Sequence, residues 1–306
     1  MNISIERKGR PESRPCIGLA LSGGGPRGLA HIGVLNTLER QGIPVDVLAG
    51  TSMGGVIAAG YAAGLSPEDL EKEALATARI RRLLRLIDPG LPEAGLLRGQ
   101  RMQSYFEEIL GAMTFEDLKT PLALVAVDLN AQRKVILTEG SLSLAIRATI
   151  SVPGIFTPVE IDGQRLVDGG VLNNLPIDAA QHLGADVIIA VDVESDPNKC
   201  LEDRINGYGK LPNGLASTLA IVDEVSQLMM RTIKENNMRR NPPDVLIRAI
   251  PPKTVNIFAG YSRVRELIEI GEKAAEEALP TIREHLSLQQ ISSPAHPSLA
   301  VSDDKI

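Results

Sequence analysis

The chain has 306 residues, of which 43% are hydrophobic and 23% charged, the balance of a soluble globular protein with one large core or two modest ones. A net charge of −6 argues against a dedicated nucleic-acid binder, which carries a basic excess. The two cysteines, Cys16 and Cys200, lie far apart without metal-ligand spacing and read as reduced thiols.

Residues 1–14 are polar and hold no apolar stretch of the kind that marks a secretory signal. No run approaches the roughly 18 apolar residues of a membrane span, and Trp is absent. A cytoplasmic location is the expectation. Residues 15–21 then form a short apolar run that leads into Ser22-Gly-Gly-Gly-Pro-Arg-Gly28. Leu29, Ile32, Leu35 and Leu38 recur at helical spacing and predict a helix over 27–41 with one buried face. Residues 45–49 predict a second strand, followed by the turn Gly50-Thr-Ser-Met-Gly54 and a helix of small residues that stops at Gly64. This is a strand–helix–strand unit, so its strands should be parallel and its crossover right-handed.

Ser66-Pro-Glu-Asp69 reads as a helix start with proline at the first helical position. The helix it opens is predicted to run to about residue 87. Its segment 78–87 sets four arginines among Ile80, Leu83, Leu84 and Ile87. A lid making transient peripheral membrane contact is one use of this segment; a core-packed helix with a solvated basic face is the plainer alternative. A helix over 100–110, strands over 121–129 and 134–138, and a helix over 142–150 follow. Residues 159–167 carry Asp-Gly between alternating apolar positions and predict a hairpin. Residues 185–193 are a nearly all-apolar strand of the buried parallel type. A polar stretch to about 213, a helix over 215–237, a strand over 244–250 and a helix over 263–285 complete the pattern.

These elements predict an α/β fold of three layers, a mainly parallel central sheet flanked by helices. Residues 1–15 form a polar tail, 16–195 the catalytic unit and 196–286 a helical extension packed on the same domain. Residues 287–306, rich in Ser and Pro, are expected to be disordered.

Gly50-Thr51-Ser52-Met53-Gly54 matches G-x-S-x-G in the strand–turn–helix context that a nucleophile elbow requires. The Gly23, Gly24, Gly25 loop has two other readings. Gly23, Gly25 and Gly28 formally meet the G-x-G-x-x-G dinucleotide spacing. Pro26 removes an N–H donor where a pyrophosphate would need one, and no Lys-Ser/Thr pair completes a phosphate loop. The remaining reading is an oxyanion hole built from the amides of Gly24, Gly25 and Arg27. The four histidines, His31, His182, His285 and His296, fall in helices or the tail, and none follows a strand into a glycine loop. Asp168 does, in Leu166-Val-Asp-Gly-Gly-Val171.

Together these segments resemble the patatin-like phospholipase family, most closely its small bacterial members. The Gly23–Gly28 loop resembles that family's oxyanion loop, Gly50–Gly54 its nucleophile elbow and Asp168-Gly169-Gly170 its aspartate motif. The likeness extends through Ser151-Val-Pro-Gly-Ile-Phe-Thr-Pro158 and Asn173-Asn-Leu-Pro176. It implies a serine acyl hydrolase acting on a lipid ester through a Ser52–Asp168 dyad, with no histidine, metal or other cofactor. A catalytically idle scaffold with the same fold, and a hydrolase assisted by His182 or His285, stay open. Oligomeric state is not legible.

Overall fold

Apolar runs without alternation form the middle of the sheet. In β1 (Ile17–Leu21), β2 (Val47–Thr51), β3 (Leu122–Asp128) and β7 (Val187–Asp192), every position is buried. Such strands suit a parallel sheet covered on both faces. The structure is a computed structural model that describes residues 14–78, 86, 88, 95–193, 213–251 and 260–292. It adds β4 (Arg133–Leu137), the hairpin of β5 (Val159–Ile161) and β6 (Gln164–Asp168), and β8 (Val245–Arg248). The eight strands make one sheet in the order β5-β6-β3-β2-β1-β7-β8, with β4 also paired to β3. β1, β2, β3, β7 and β8 run parallel, while β4, β5 and β6 pair antiparallel.

Helices cover both faces. Leu19 and Leu21 of β1 join a core with α1 (Ala30–Arg40), α2 (Met53–Ala62) and α8 (Val264–Ser292). Cys16 and Ala20 point the other way, into a core with α6 (Ile177–His182) and Met238 of α7 (Asn213–Arg240). The strand period of two thus divides one chain segment between two apolar layers. The remaining helices are α3 (Pro67–Thr77), α4 (Gln100–Leu110) and α5 (Leu142–Thr149). No helix among the described residues is long and apolar enough to cross a membrane.

The three-layer α/β architecture expected from the sequence is the one observed, and the described elements fall close to their predicted positions, except that α3 ends at Thr77 with Ala78 as its C-cap, short of the expected 87. Two further expectations change. His285 lies inside α8 rather than at its end, because that helix continues to Ser292. Leu286 still packs against the core, and the Leu and Gln residues beyond it are good helix formers. The tail expected from 287 therefore begins as helix. The basic segment 78–87, apart from Ala78 and Leu86, lies outside the described residues, as do Cys200 and His296.

Candidate active site

β3 organises the site through an unusual pairing. The Leu48 N–H donates to the Pro121 carbonyl at 2.9 Å, and the Leu129 N–H donates to the Arg165 carbonyl at 2.9 Å. Alternate residues of a strand turn their backbone groups to the same side, so 121 and 129 face one way. β2 and β6 consequently lie end to end along a single side of β3. Thr51 pairs with Val125, and Asp168 pairs with Ala126, the next residue. The two strands point at each other, and Ser52 and Asp168 stand at the junction.

Ser52 begins the turn into α2 with φ 54° and ψ −127°, a region that non-glycine residues enter at a cost of about 1–3 kcal/mol. A regular ladder would send its N–H to the Val125 carbonyl. Instead the Thr149 hydroxyl sits between them, accepting from the Ser52 N–H at 3.0 Å and donating to the Val125 carbonyl at 2.6 Å. One side chain thereby satisfies both backbone groups where the ladder opens. The Thr51 hydroxyl donates to the Asn173 carbonyl at 2.9 Å, which ties the elbow to the segment after Asp168. Gly28, Gly50, Gly54 and Gly169 are points of close approach. A Cβ there would meet Met53, Gly55, the Leu21 carbonyl and the Val125 carbonyl at 2.4–2.5 Å.

The glycine loop lies against the serine. A Cβ on Gly23 would be 3.1 Å from the Ser52 Cβ and 2.5 Å from the Asn174 Oδ1. Asn174 holds the loop, since its carbonyl accepts from the Gly23 N–H at 3.0 Å. Gly25 has φ +55°, and a methyl group on its Cα would have nothing within 4 Å, so glycine is needed there for its backbone angle and not for space. A 3₁₀ turn, Gly25–Leu29, follows with Pro26 near its start. Its first bond runs from the Arg27 N–H to the Gly24 carbonyl at 3.3 Å, and the Arg27 Nε donates to the same oxygen at 3.0 Å. This corrects the expectation for Arg27: its amide closes the turn instead of facing outward. Among the described residues the Gly24 and Gly25 amides have no hydrogen-bond acceptor within the protein.

Asp168 is 5% exposed. Its N–H donates to the Ser151 carbonyl at 2.9 Å, and its Oδ1 accepts from the Gly170 N–H at 2.7 Å. Burial pushes its carboxyl up to about 6, against smaller downward pulls from the Ser52 side chain and the Gly170 amide. An acid poised near neutrality beside a hydroxyl has the makings of a general base. The segment that carries the Ser151 carbonyl is pinned by Arg147. That guanidinium donates to the Ser151 Oγ at 2.5 Å, the Thr157 carbonyl at 2.9 Å and the Gly99 carbonyl at 3.0 Å.

The model of one family, the patatin-like phospholipases, matches residues 19–181, a span that holds the glycine loop, the elbow and the aspartate turn. The chain belongs to the patatin-like phospholipase family. It is 38% identical over 217 residues to an uncharacterised NTE family protein of Mycobacterium tuberculosis, covering 70% of this chain and 59% of that one. It is 35% identical over 202 residues to human patatin-like phospholipase domain-containing protein 6, covering 65% of this chain and 14% of that one. The chain thus spans about three fifths of the mycobacterial relatives and a small part of the human one. Among solved structures, VipD of Legionella pneumophila aligns with a TM-score of 0.49 at 14% identity, covering 88% of this chain and 67% of that one.

Around this patatin-like junction, sequence reasoning missed Thr149, Asn174 and Arg147. Arg147 and Thr149 lie in Arg147-Ala-Thr149 and Asn174 in Asn173-Asn-Leu-Pro176, but only the fold gives them partners. Among the described residues no histidine is hydrogen-bonded to Ser52 or Asp168. His182 is exposed, and the His285 Nδ1 is bonded to the Thr281 carbonyl at 2.9 Å. His31 is fully buried with its Nε2 on the Ser22 carbonyl at 2.8 Å, and burial pushes it down to about 4. It is neutral, carries its proton on Nε2 and braces the first residue of the glycine loop. No group of side chains among the described residues is arranged to hold a metal ion.

Proposed function

We propose that this chain is a lipid acyl hydrolase that cleaves carboxylic esters, with Ser52 as nucleophile and Asp168 as the general base. The observation that carries the reading is the end-to-end meeting of β2 and β6, which brings a strained serine and a buried carboxylate of raised pKa together. Family membership supports the substrate class.

In the proposed reaction the Ser52 Oγ attacks the ester carbonyl carbon as its proton passes to Asp168. Negative charge develops on the carbonyl oxygen, where the Gly24 and Gly25 amides at the start of the 3₁₀ turn donate to it. An oxyanion donor of this kind is worth about 3–4 kcal/mol. Collapse expels the alcohol, which takes the proton from Asp168, and leaves Ser52 acylated. Water then attacks the acyl-enzyme as Asp168 accepts its proton, and collapse releases the acid while the leaving Ser52 Oγ takes that proton back from Asp168.

Labelling with a fluorophosphonate, followed by peptide mapping, tests the nucleophile. Ser52 is the serine expected to carry the label, and Ser52→Ala is expected to abolish both labelling and ester turnover. Label on another serine, or none on a folded protein, refutes the assignment.

A further inference from the structure

The segment after the aspartate turn holds the other two parts of the site with consecutive carbonyls. That of Asn173 accepts from the Thr51 hydroxyl of the elbow at 2.9 Å, and that of Asn174 accepts from the Gly23 N–H at 3.0 Å. The two side chains diverge. The Asn173 Nδ2 donates to the Asp178 Oδ1 at 2.7 Å, which secures the segment to α6. The Asn174 amide lies instead between the glycine loop and the aspartate turn. Its Oδ1 is 2.5 Å from the Cβ position of Gly23 and 3.1 Å from that of Gly170, and the Asp168 Oδ1 is also 3.1 Å from the latter. A side chain at 23 would displace this amide and one at 170 would crowd it, so both glycines give it room.

The Asn174 Nδ2 donates to the Gly23 carbonyl at 3.4 Å. An amide atom that faces a carbonyl oxygen must be the donor, which fixes the orientation of the side chain. Among the described residues no other donor reaches that oxygen. The next carbonyl, that of Gly24, is held by Arg27 through its N–H at 3.3 Å and its Nε at 3.0 Å. These two carbonyls belong to the same peptide units as the Gly24 and Gly25 N–H groups. In a trans peptide the C=O and the following N–H point in opposite directions, and no peptide here is cis among the described residues. A grip on each oxygen therefore sets where each N–H is aimed. Three successive glycines have wide backbone freedom, so the loop needs such grips.

We propose that Asn174 is a positioning residue of the oxyanion hole: by holding the Gly23 carbonyl it aims the Gly24 N–H at the oxygen of the reacting ester. This role rests on the hydrolase reading. The bond strengthens as the reaction proceeds. Charge on the ester oxygen draws on the Gly24 N–H and polarises its peptide, which makes the Gly23 carbonyl a better acceptor. A contact of 3.4 Å in the free protein has room to shorten at that moment. The gain therefore falls in the transition state and shows in kcat, not in KM.

The test is hydrolysis of p-nitrophenyl butyrate by wild type, Asn174→Leu and Asn174→Ala. Leucine has nearly the outline of asparagine, alanine leaves space, and both keep the backbone carbonyl that holds the Gly23 N–H. Asn174 is half-buried, and both variants should keep the circular dichroism spectrum. Each is expected to lose about 10–100-fold in kcat, less than the roughly 10²–10³ for deleting an oxyanion donor outright. KM should stay within about twofold of wild type. Inhibition by an alkyl trifluoromethyl ketone, which forms a tetrahedral oxyanion on Ser52, should weaken by the same factor as kcat/KM. Competition by butyl p-nitrophenyl ether, which has no carbonyl oxygen, should not change. A loss confined to the leucine variant, a rise in KM at constant kcat, or ketone and ether weakening together overturns the proposal, because Asn174 then only shapes the site. Variants that keep kcat within about twofold of an active wild type overturn it alone, leaving the hydrolase reading intact. A wild type with neither turnover nor fluorophosphonate label on Ser52 refutes the hydrolase reading and this role with it.

Discussion

Asp168→Asn should make the protein more stable at neutral pH while removing its activity. The carboxyl ordinarily titrates near 3.8 and is raised by burial to about 6 in the fold. Between those values the folded state holds a proton that the unfolded chain has released. The stability tied to this proton is complete below about pH 4 and disappears as pH rises through about 6. A rise of about two pH units at about 1.4 kcal/mol each means that the ionised acid costs the fold about 3 kcal/mol at pH 7. Asparagine has nearly the same shape, keeps an oxygen for the Gly170 N–H and carries no charge. Urea melts of both proteins at pH 4, 5, 6 and 7 should therefore agree at the acid end. They should diverge toward pH 7, with the variant ahead by about 2–3 kcal/mol. Ester turnover by the variant should fall about 10³-fold or more, as when other catalytic partners are removed. Wild-type turnover should lose about tenfold per pH unit below about 6, because a protonated acid cannot accept the serine proton. A variant that is less stable at pH 7, or whose advantage is the same at pH 4 and pH 7, refutes the account of a buried, ionised base.

Thr149→Val keeps the branched shape but strands the Ser52 N–H and the Val125 carbonyl, so it should cost about 2 kcal/mol in a denaturant melt. It should also lower kcat more than it raises KM, and Thr149→Ser should recover both. Gly25→Ala has room for its methyl group but must hold φ +55°, a strain of about 1–2 kcal/mol. Relief of that strain turns the loop amides, so kinetics should show a larger loss than the melt; equal losses point to a purely structural loop. Replacing His182, His285 and His296 together should leave turnover and its acid limb unchanged in a pH–rate profile, and a well-folded triple variant without activity would revive histidine assistance. His31 is left in place because its ring holds the Ser22 carbonyl.

Local sequence pattern carried most of this architecture because both of its signals are short-ranged. Unbroken apolar runs announce strands buried on two faces, and glycine clusters after them announce turns at the sheet's C-terminal edge. The turns that carry Ser52 and Asp168 were legible for that reason. Thr149 was not, since its role is defined by groups 24 and 97 residues away and its own surroundings read only as a helix end. Arg27 was misread because the direction of an amide depends on whether the loop closes as a 3₁₀ turn, which the Gly-Pro-Arg-Gly letters leave open. The end-to-end meeting of β2 and β6 lay beyond reach for a similar reason. A hairpin signal gives the turn, but not the side of β3 on which its second strand comes to rest.

α1 and α8 touch backbone to backbone. A Cβ on Gly33 would stand 2.0 Å from the Ile268 carbonyl, and one on Gly271 would stand 1.9 Å from that of Ala30. Asn36 reaches Glu272 across the same seam, 236 residues apart in sequence. His31, the brace of the glycine loop, belongs to α1, so the loop's foundation is completed by α8, a helix that starts at Val264, far later in the chain. A nascent chain that has produced the loop, the elbow and the aspartate turn still lacks the surface against which α1 closes, and contacts of such long range form late and slowly. Activity should therefore emerge only after α8 has been made and has docked on α1, and the family-matched span, residues 19–181, is shorter than the unit that has to fold.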